Sequence, residues 1–115
     1  MKVDVVIPAY KPGEKFVKLI KRLAEQTIVP EKIIVINTEE QFFAKDILEQ
    51  IGQKASSLLE LHHISGREFD HAATRNAGVS YSSSPIVVLM TDDAVPADPY
   101  LIEALVSPFA DPEVG

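Results

Sequence analysis

The stretch Ile86-Val87-Val88-Leu89-Met90-Thr91-Asp92-Asp93-Ala94-Val95-Pro96 joins an uninterrupted apolar run to a pair of acidic residues. The apolar part, residues 86–90, predicts a strand buried on both faces, as in parallel sheets that helices cover. Carboxylates that follow such a strand lie at the carboxyl edge of the sheet, where open α/β sheets bind ligands. Hard divalent cations bind carboxylate oxygens and can carry a diphosphate, so this edge is the first candidate for a functional site.

Three further strands are predicted by short apolar runs over residues 3–7, 33–36 and 58–64, the first of them ended by Pro8. Each run is followed by a segment with apolar residues at helical spacing. This alternation implies right-handed crossovers and a parallel sheet. We therefore predict a Rossmann-like three-layer αβα fold of class α/β with strand order 3-2-1-4, the nucleotide-binding half of a doubly wound sheet.

Helices are predicted from Glu14 onward, over residues 42–54 and 70–81, and from Asp98-Pro99, where Asp98 would be the N-cap and Pro99 the first helical residue. The side chains expected to face the core are Phe16, Leu19, Ile20, Leu23 and Ala24 in the first helix, Phe43, Ile47, Leu48 and Ile51 in the second, and Leu101, Ile102 and Leu105 in the last. Residues 82–85, Ser-Ser-Ser-Pro, are interpreted as a turn.

Size and composition exclude several classes of protein. The chain has 115 residues, enough for one domain, and its 46% hydrophobic content excludes a disordered chain. The absence of cysteine excludes disulfides, thiolate metal sites and thiol catalysis. The net charge of −6 argues against a nucleic-acid coat. Neither an apolar run of about 18 residues nor a secretory signal pattern is present, so we expect a cytoplasmic location.

Polar and aromatic residues follow the first two strands. Pro8-Ala9-Tyr10 comes after strand one, where Tyr10 could stack on a base or equally cap the core. Asn37-Thr38 comes after strand two, where polar side chains bond a base or ribose but also form ordinary turns. No Gly-x-Gly-x-x-Gly and no Walker loop follows strand one, so dinucleotide cofactors and P-loop chemistry lack support.

The helix after strand three begins with features that suit an anion. Asp70 is a natural N-cap, and His71, Thr74 and Arg75 would then lie on one side of the helix. The helix N-terminus offers free N–H groups, and the guanidinium of Arg75 matches phosphate or carboxylate. The alternative is that Arg75 pairs with a structural carboxylate, Asp93 or Asp70.

Asp92 and Asp93 are expected to point to opposite faces, because side chains alternate along an extended backbone. Asp93 is the preferred site residue since it lies nearer the loop, and the alternative is a plain acidic turn before Val95-Pro96. By the same alternation, His62 and His63 on strand three would face opposite ways. They would not bind one metal together, and we expect them to have packing or surface roles.

Four of these segments, in order, resemble the family 2 glycosyltransferases with the A-type fold. They are Val5-Val6-Ile7-Pro8-Ala9-Tyr10, Ile33-Ile34-Val35-Ile36-Asn37, Phe69-Asp70-His71-Ala72-Ala73-Thr74-Arg75-Asn76-Ala77-Gly78 and Leu89-Met90-Thr91-Asp92-Asp93-Ala94-Val95-Pro96. The His-x-x-Thr-Arg-Asn and Asp-Ala-x-Pro forms look most like the rhamnosyltransferase branch.

The resemblance implies a nucleoside-diphosphate sugar as donor, Mg²⁺ or Mn²⁺ as cofactor, and transfer of the sugar, in this branch rhamnose, to an acceptor hydroxyl with inversion. The acceptor would be a saccharide or lipid-linked molecule of polysaccharide biosynthesis, and the full-length protein would lie peripherally at the inner face of the membrane. By the same similarity, the donor would be bound by Pro8, Ala9, Tyr10, Asn37, His71, Arg75, Asn76 and Asp92, with Asp93 as the metal ligand.

The chain also departs from the family pattern. Thr91 stands where the first acid of the Asp-x-Asp metal motif usually lies, and the usual Asp-Gly-Ser after strand two is absent. In this family the catalytic base comes from a later segment, so we expect donor binding without transfer from these residues alone.

The first alternative is a non-catalytic nucleotide-binding or regulatory module, with affinity that does not depend on a metal. A receiver-like domain would need an acidic cluster after strand one, and a purely structural interaction domain would simply pair Arg75 with the acids.

Glu113-Val114 reads as the start of another element. We therefore expect residues 1–115 to form a single nucleotide-sugar-binding domain that is truncated at its C-terminus. Strand four would then lie at an unprotected edge, through which the isolated piece should self-associate.

Overall fold

The computed structural model describes residues 2–66 and 71–110, with the side chains of residues 71–75, 109 and 110 excepted. The four strands are β1 (Val3–Tyr10), β2 (Lys32–Thr38), β3 (Leu59–Ile64) and β4 (Ile86–Leu89). The α-helices are α1 (Glu14–Ala24), α2 (Ile47–Ile51), α3 (Gln53–Ser56), α4 (His71–Tyr81) and α5 (Leu101–Ala110), and a 3-10 turn covers Glu40–Phe42.

The strands form one parallel sheet in the order β3-β2-β1-β4, which confirms the predicted α/β fold and its strand order. The pairing register places Ala9 beside Asn37 and Asn37 beside His63. One step further along, Tyr10, Thr38 and Ile64 lie side by side. The ends of the three strands are therefore level at the carboxyl edge.

The two faces of the sheet bury unequal cores. On one face Val5, Ile7, Ile33 and Val35 pack against apolar side chains of α1, α2, α3 and α5. On the other face Val6, Ile34 and Ile36 form a smaller cluster. Helix α4 packs against β1 and β2, and so closely that a Cβ at Gly78 would collide with Cγ1 of Val6. The sheet is thus the middle of three layers, as predicted.

Strand β1 continues through Pro8 to Tyr10, so the prediction that Pro8 ends the strand was wrong. The carbonyl of Val6 accepts from the N–H of Met90, on the β4 side of the strand. Pro8, two residues further on, directs its nitrogen to that same side, where β4 has already ended at Leu89. The missing N–H therefore costs no hydrogen bond between strands.

The single helix predicted over residues 42–54 is also wrong. The chain instead forms the 3-10 turn, an extended Phe43, and two short helices separated by Gly52. Gly52 has a φ of 91°, which glycine adopts at little cost and which interrupts a helix. Ile47 and Ile51 are buried as expected and Phe43 packs against the core, whereas Leu48 is largely exposed.

Helix α5 begins at Leu101, two residues after the predicted start. Oδ1 of Asp98 accepts from the N–H of Tyr100 at 2.8 Å, so Asp98 serves the turn before the helix. Ile102 and Val106 are the buried residues, while Leu105, expected inside, is exposed. Nowhere along the described residues is a helix long and apolar enough to cross a bilayer.

A buried polar cluster lies at the opposite, amino edge of the sheet. Asp4 is fully buried. Its carboxylate accepts hydrogen bonds from the hydroxyls of Ser82 and Ser84 at 2.6 and 2.9 Å and from the N–H of Lys32 at 3.1 Å. The serine-rich segment that was interpreted only as a turn therefore also anchors the start of β4 to β1 and β2.

Candidate functional site

An open cleft lies at the carboxyl edge of the sheet, between the end of β1 and the turn after β4. Its volume is about 410 Å³. The lining residues are Tyr10, Lys11, Pro12, Gly13, Glu14, Lys15, Phe16, Asp92 and Asp93. Three of these, Tyr10, Asp92 and Asp93, are among the residues that the sequence predicts for the site.

Both acidic residues after β4 line this cleft, so the prediction that they point to opposite faces was wrong. The backbone is not extended there: the N–H of Ala94 donates to the carbonyl of Thr91 at 3.3 Å, which closes a turn. Asp92 accepts the N–H of Tyr10 on Oδ2 at 3.1 Å. Asp93 is exposed and accepts the hydroxyl of Thr91 on Oδ1 at 3.0 Å. Asp92 thus fixes the wall of the cleft and Asp93 offers its carboxylate to it.

The ring of Tyr10 lies at the surface and does not cap the core. Its exposed fraction is 52%, and it meets Phe42 edge-on with 5.9 Å between ring centroids. The ammonium of Lys11 lies 5.3 Å from the centroid of Tyr10 and 4.7 Å from that of Phe42. The cleft is therefore bordered by Tyr10 and Lys11, with Phe42 in contact with both.

Pro8, Ala9 and Asn37 sit deeper, at the ends of the two central strands. Pro8 is half-buried, and Ala9 and Asn37 are buried next to each other in the register of β1 and β2. The amide nitrogen of Asn37 donates to the carbonyl of Glu39 at 3.2 Å and contacts Nδ1 of His63 at 3.0 Å. Among the described residues, Oδ1 of Asn37 has no hydrogen-bond donor. A buried acceptor without a donor is costly, which sets Asn37 apart from an ordinary turn residue.

The predicted anion site at the start of α4 is described only in its backbone. The helix begins at His71 and follows the carboxyl end of β3, which puts its N-terminus at the same edge of the sheet as the cleft. The side chains of His71 and Arg75 lie outside the described residues, as does the whole of Asp70. Asn76 is exposed on the helix. A shared site for Asp93, His71 and Arg75 stays a prediction.

The chemistry of the donor set fits a hard divalent cation only in part. Asp92, Asp93 and the hydroxyl of Thr91 provide oxygen atoms, which Mg²⁺ and Mn²⁺ prefer. Among the side chains that the structure describes, no group of three His, Asp or Glu could hold a metal together. A cation at Asp93 would therefore need oxygens from a ligand and from water, which Mg²⁺ commonly keeps.

Sequence reasoning missed the contacts of three residues near the site, Lys11, Phe42 and His63. Phe42 and Lys11 carry no sequence signal for their contact with Tyr10, because the contact depends on the loop geometry. Lys11 itself has a φ of 48°, which is uncommon outside glycine.

His63 and His62 do face opposite sides as predicted: His63 contacts Asn37, whereas His62 stacks on Tyr81 at 3.8 Å between centroids.

Comparison with known proteins gives consistent results. The sequence pattern of the family described as Glycosyl transferase family 2 matches residues 4–115. The O-antigen chain rhamnosyltransferase RfbN of Salmonella typhimurium is 30% identical over 116 residues, which cover all of this chain and 35% of that protein. The uncharacterized glycosyltransferase YwdF of Bacillus subtilis is 30% identical over 95 residues, covering 81% of this chain and 33% of that protein. The chain thus spans about a third of the length of these curated relatives.

Solved structures share the fold at lower identity. TarS of S. aureus superposes with a TM-score of 0.68 at 19% identity, over 96% of this chain and 20% of that chain. TarS 1-349 in complex with UDP-GlcNAc gives 0.67 at 19% identity, over 96% of this chain and 32% of that chain. At these identities the likeness establishes the fold alone.

Proposed function

This chain belongs to glycosyl transferase family 2, and on that premise we propose that it binds the nucleoside-diphosphate sugar donor of a glycosyltransferase. The observation that carries the proposal is the cleft at the carboxyl edge, where Tyr10, Asp92 and Asp93 come together from the ends of β1 and β4. Ligands of open α/β sheets bind at this edge.

Each element of the cleft has a role that matches part of such a donor. The exposed ring of Tyr10 stacks on the base. Pro8, Ala9 and Asn37 are assigned to the base by the family resemblance; they lie behind the cleft at the ends of β1 and β2, where Ala9 and Asn37 are buried. His71, Arg75 and Asn76 at the start of α4 border the diphosphate, where helix N–H groups and a guanidinium favour anions. Asp92 holds the end of β1 in place through its bond to Tyr10.

Asp93 is the proposed ligand for Mg²⁺ or Mn²⁺. Its carboxylate is exposed in the cleft, whereas that of Asp92 is already bonded to the backbone of Tyr10. A bound divalent cation would neutralise the charge that develops on the leaving diphosphate. The hydroxyl of Thr91 orients Asp93 by donating to Oδ1.

The sugar and the acceptor are proposed from the relative at 30% identity, which is named an O-antigen chain rhamnosyltransferase. We propose rhamnose as the sugar and a saccharide or lipid-linked hydroxyl as the acceptor, in polysaccharide biosynthesis, with inversion at the anomeric carbon. Deprotonation of the acceptor needs a general base, which we place in a segment outside these 115 residues. This chain by itself is therefore expected to bind donor without transferring sugar.

Calorimetric titration of the chain with UDP and dTDP, with and without Mn²⁺, tests the proposal. We expect Mn²⁺ to lower the dissociation constant by about tenfold, which is a gain of about 1.4 kcal/mol in binding free energy. Asp93→Ala should remove that gain. Asp46→Ala, at an exposed carboxylate on the far side of the 3-10 turn, is the matched control and should leave both titrations unchanged.

The two ways in which this test can fail have different meanings. Binding that is equally tight without Mn²⁺, and equal in Asp93→Ala, would favour a non-catalytic nucleotide-binding module. No binding of either nucleotide under any condition would contradict a donor site in this cleft.

A further inference from the structure

Lys11 follows the last residue of β1 and is not among the residues assigned to donor binding. Its backbone φ is 48°, in the left-handed region that residues other than glycine seldom adopt. Along an extended strand, the side chains of neighbouring residues point to opposite faces. The turn at Lys11 breaks this alternation, so its side chain lies back over the ring of Tyr10, the residue before it.

The ammonium of Lys11 is placed over two aromatic rings. It lies 5.3 Å from the centroid of Tyr10 and 4.7 Å from that of Phe42, and the planes of these two rings meet at 83°. Asp92 and Asp93 line the same cleft, yet neither forms an ion pair with Lys11. Of the groups that border the cleft, the ring of Tyr10 is therefore the one that holds this cation.

Tyr10 is the fixed partner in this contact and Lys11 the movable one. The N–H of Tyr10 donates to Oδ2 of Asp92 at 3.1 Å, and Tyr10 is paired with Thr38 in the sheet. Lys11 is exposed, and its ammonium is carried on a flexible four-carbon stem. A base that stacks on Tyr10 needs a face of the ring, and it can take the face beneath the ammonium only if Lys11 swings away.

The phosphate groups of a donor would give the ammonium a stronger partner than the rings. A charge-assisted hydrogen bond to a phosphate oxygen is stronger than a neutral one, whereas a cation–π contact at an exposed site is weak. Lys11 lines the cleft together with Asp93, the proposed metal ligand. A diphosphate held through a cation at Asp93 would therefore lie in the cleft that Lys11 borders.

We propose that Lys11 covers the ring of Tyr10 in the empty cleft and moves from the ring to the diphosphate when the donor binds, so that the cleft selects nucleoside diphosphates over nucleosides. The inference rests on the proposed donor site. A nucleoside has to displace the ammonium without offering it a phosphate. A nucleoside diphosphate replaces the contact that its base breaks.

The test measures the affinities of uridine and UDP for the native chain and for Lys11→Ala, by NMR titration of the isotope-labelled chain in Mg²⁺. Uridine should bind about two- to fivefold more tightly to Lys11→Ala, the worth of one exposed cation–π contact. UDP should bind about three- to tenfold less tightly, because one cation on the phosphates is lost. One substitution is thus expected to move the two affinities in opposite directions.

Two further variants separate this role from a general effect of charge. Lys15 is exposed and lines the same cleft, but the described residues show no contact of its ammonium with a ring. Lys15→Ala should therefore leave the affinity for uridine unchanged and weaken UDP less than Lys11→Ala does. Lys11→Arg keeps a cation that can lie over a ring and bind phosphate, so it should keep the native ratio of the two affinities within about twofold.

The NMR signals of the Lys11 side chain add a readout that does not depend on affinity. In the ligand-free chain the ring currents of Tyr10 and Phe42 should move the ε-methylene protons of Lys11 upfield, and saturation with UDP should return them toward their ordinary position. Lys11→Ala identifies these signals by their loss.

Three results would each overturn the inference. They are ε-methylene protons of Lys11 without an upfield shift in the free chain, uridine that binds Lys11→Ala no better than the native chain, and equal losses of UDP affinity in Lys11→Ala and Lys15→Ala. If UDP binds the native chain and any of these results is found, only the role of Lys11 is rejected. If UDP does not bind, the donor site and the inference are both rejected.

Discussion

Asp4 shows how one buried carboxylate organises the amino edge of the sheet. Two serine hydroxyls and the N–H of Lys32 all donate to it. Its three donors come from β2 and from the segment that leads into β4, so this one side chain joins three strands. Buried carboxylates are tolerated only when their oxygens are bonded, as here.

Replacement of Asp4 by alanine should therefore destabilise the chain strongly. Three donors would lose their acceptor at once, and we expect the free energy of unfolding to fall by about 2–4 kcal/mol. Asp4→Asn should cost less, because the amide oxygen still accepts. Urea unfolding measures both, with Glu49→Ala, at an exposed carboxylate on α2, as control at about 0.5 kcal/mol or less. Equal stability of Asp4→Ala and Glu49→Ala would show that the cluster contributes nothing.

At the scale of elements, α1 and α5 are joined by a side chain that no sequence rule identified. Gln26 follows α1 and is almost fully buried. Its Oε1 accepts the N–H of Ile102 at 3.0 Å, and its Nε2 donates to the carbonyl of Asp98 at 3.0 Å. Gln26 thus bonds a free N–H in the first turn of α5 from a distant part of the chain.

We expect Gln26→Ala to loosen α5 without disturbing the sheet. The loss should be about 1–3 kcal/mol, the cost of leaving a buried backbone donor unbonded. Hydrogen exchange should accelerate in α5 while β1 and β2 stay protected. Gln50→Ala, at an exposed glutamine on α2, serves as the comparison and should leave exchange in α5 unchanged. Faster exchange throughout the sheet in Gln26→Ala would contradict a local role.

The strands were predictable because their signals are local. Runs such as residues 33–36 are apolar on both faces, and four of them alternating with helices leave few topologies. The break at Gly52 and the exposure of Leu48 and Leu105 were not predictable, since each depends on where a short helix meets the core. The carboxyl edge divides in the same way. The positions of Tyr10 and Asn37 at the ends of strands and of Asp93 after a strand could be predicted, whereas the contact of His63 with Asn37 depends on strand register.

At the scale of the whole molecule, the two outer strands of the sheet differ in how they meet solvent. Strand β3 carries Glu60 and His62, and Glu60 pairs with His62 at 3.1 Å and with Lys32 at 3.6 Å. Charged side chains on an outer strand discourage pairing with another chain. Strand β4 consists of Ile86, Val87, Val88 and Leu89, and within the described residues only β1 pairs with it. Leu89 is about half exposed.

The 115-residue chain is therefore expected to self-associate through the outer edge of β4. An apolar strand whose backbone groups are unpaired on one side is a template for another strand. Leu89→Lys should reduce the association, because a charge at the edge must be desolvated when two edges meet. Light scattering on a sizing column over a wide concentration range measures the mass. Leu48→Lys changes a similarly exposed leucine on α2 and should associate like the native chain. A native chain that stays monomeric throughout would contradict the association, and equal effects of the two lysines would place the association elsewhere than β4.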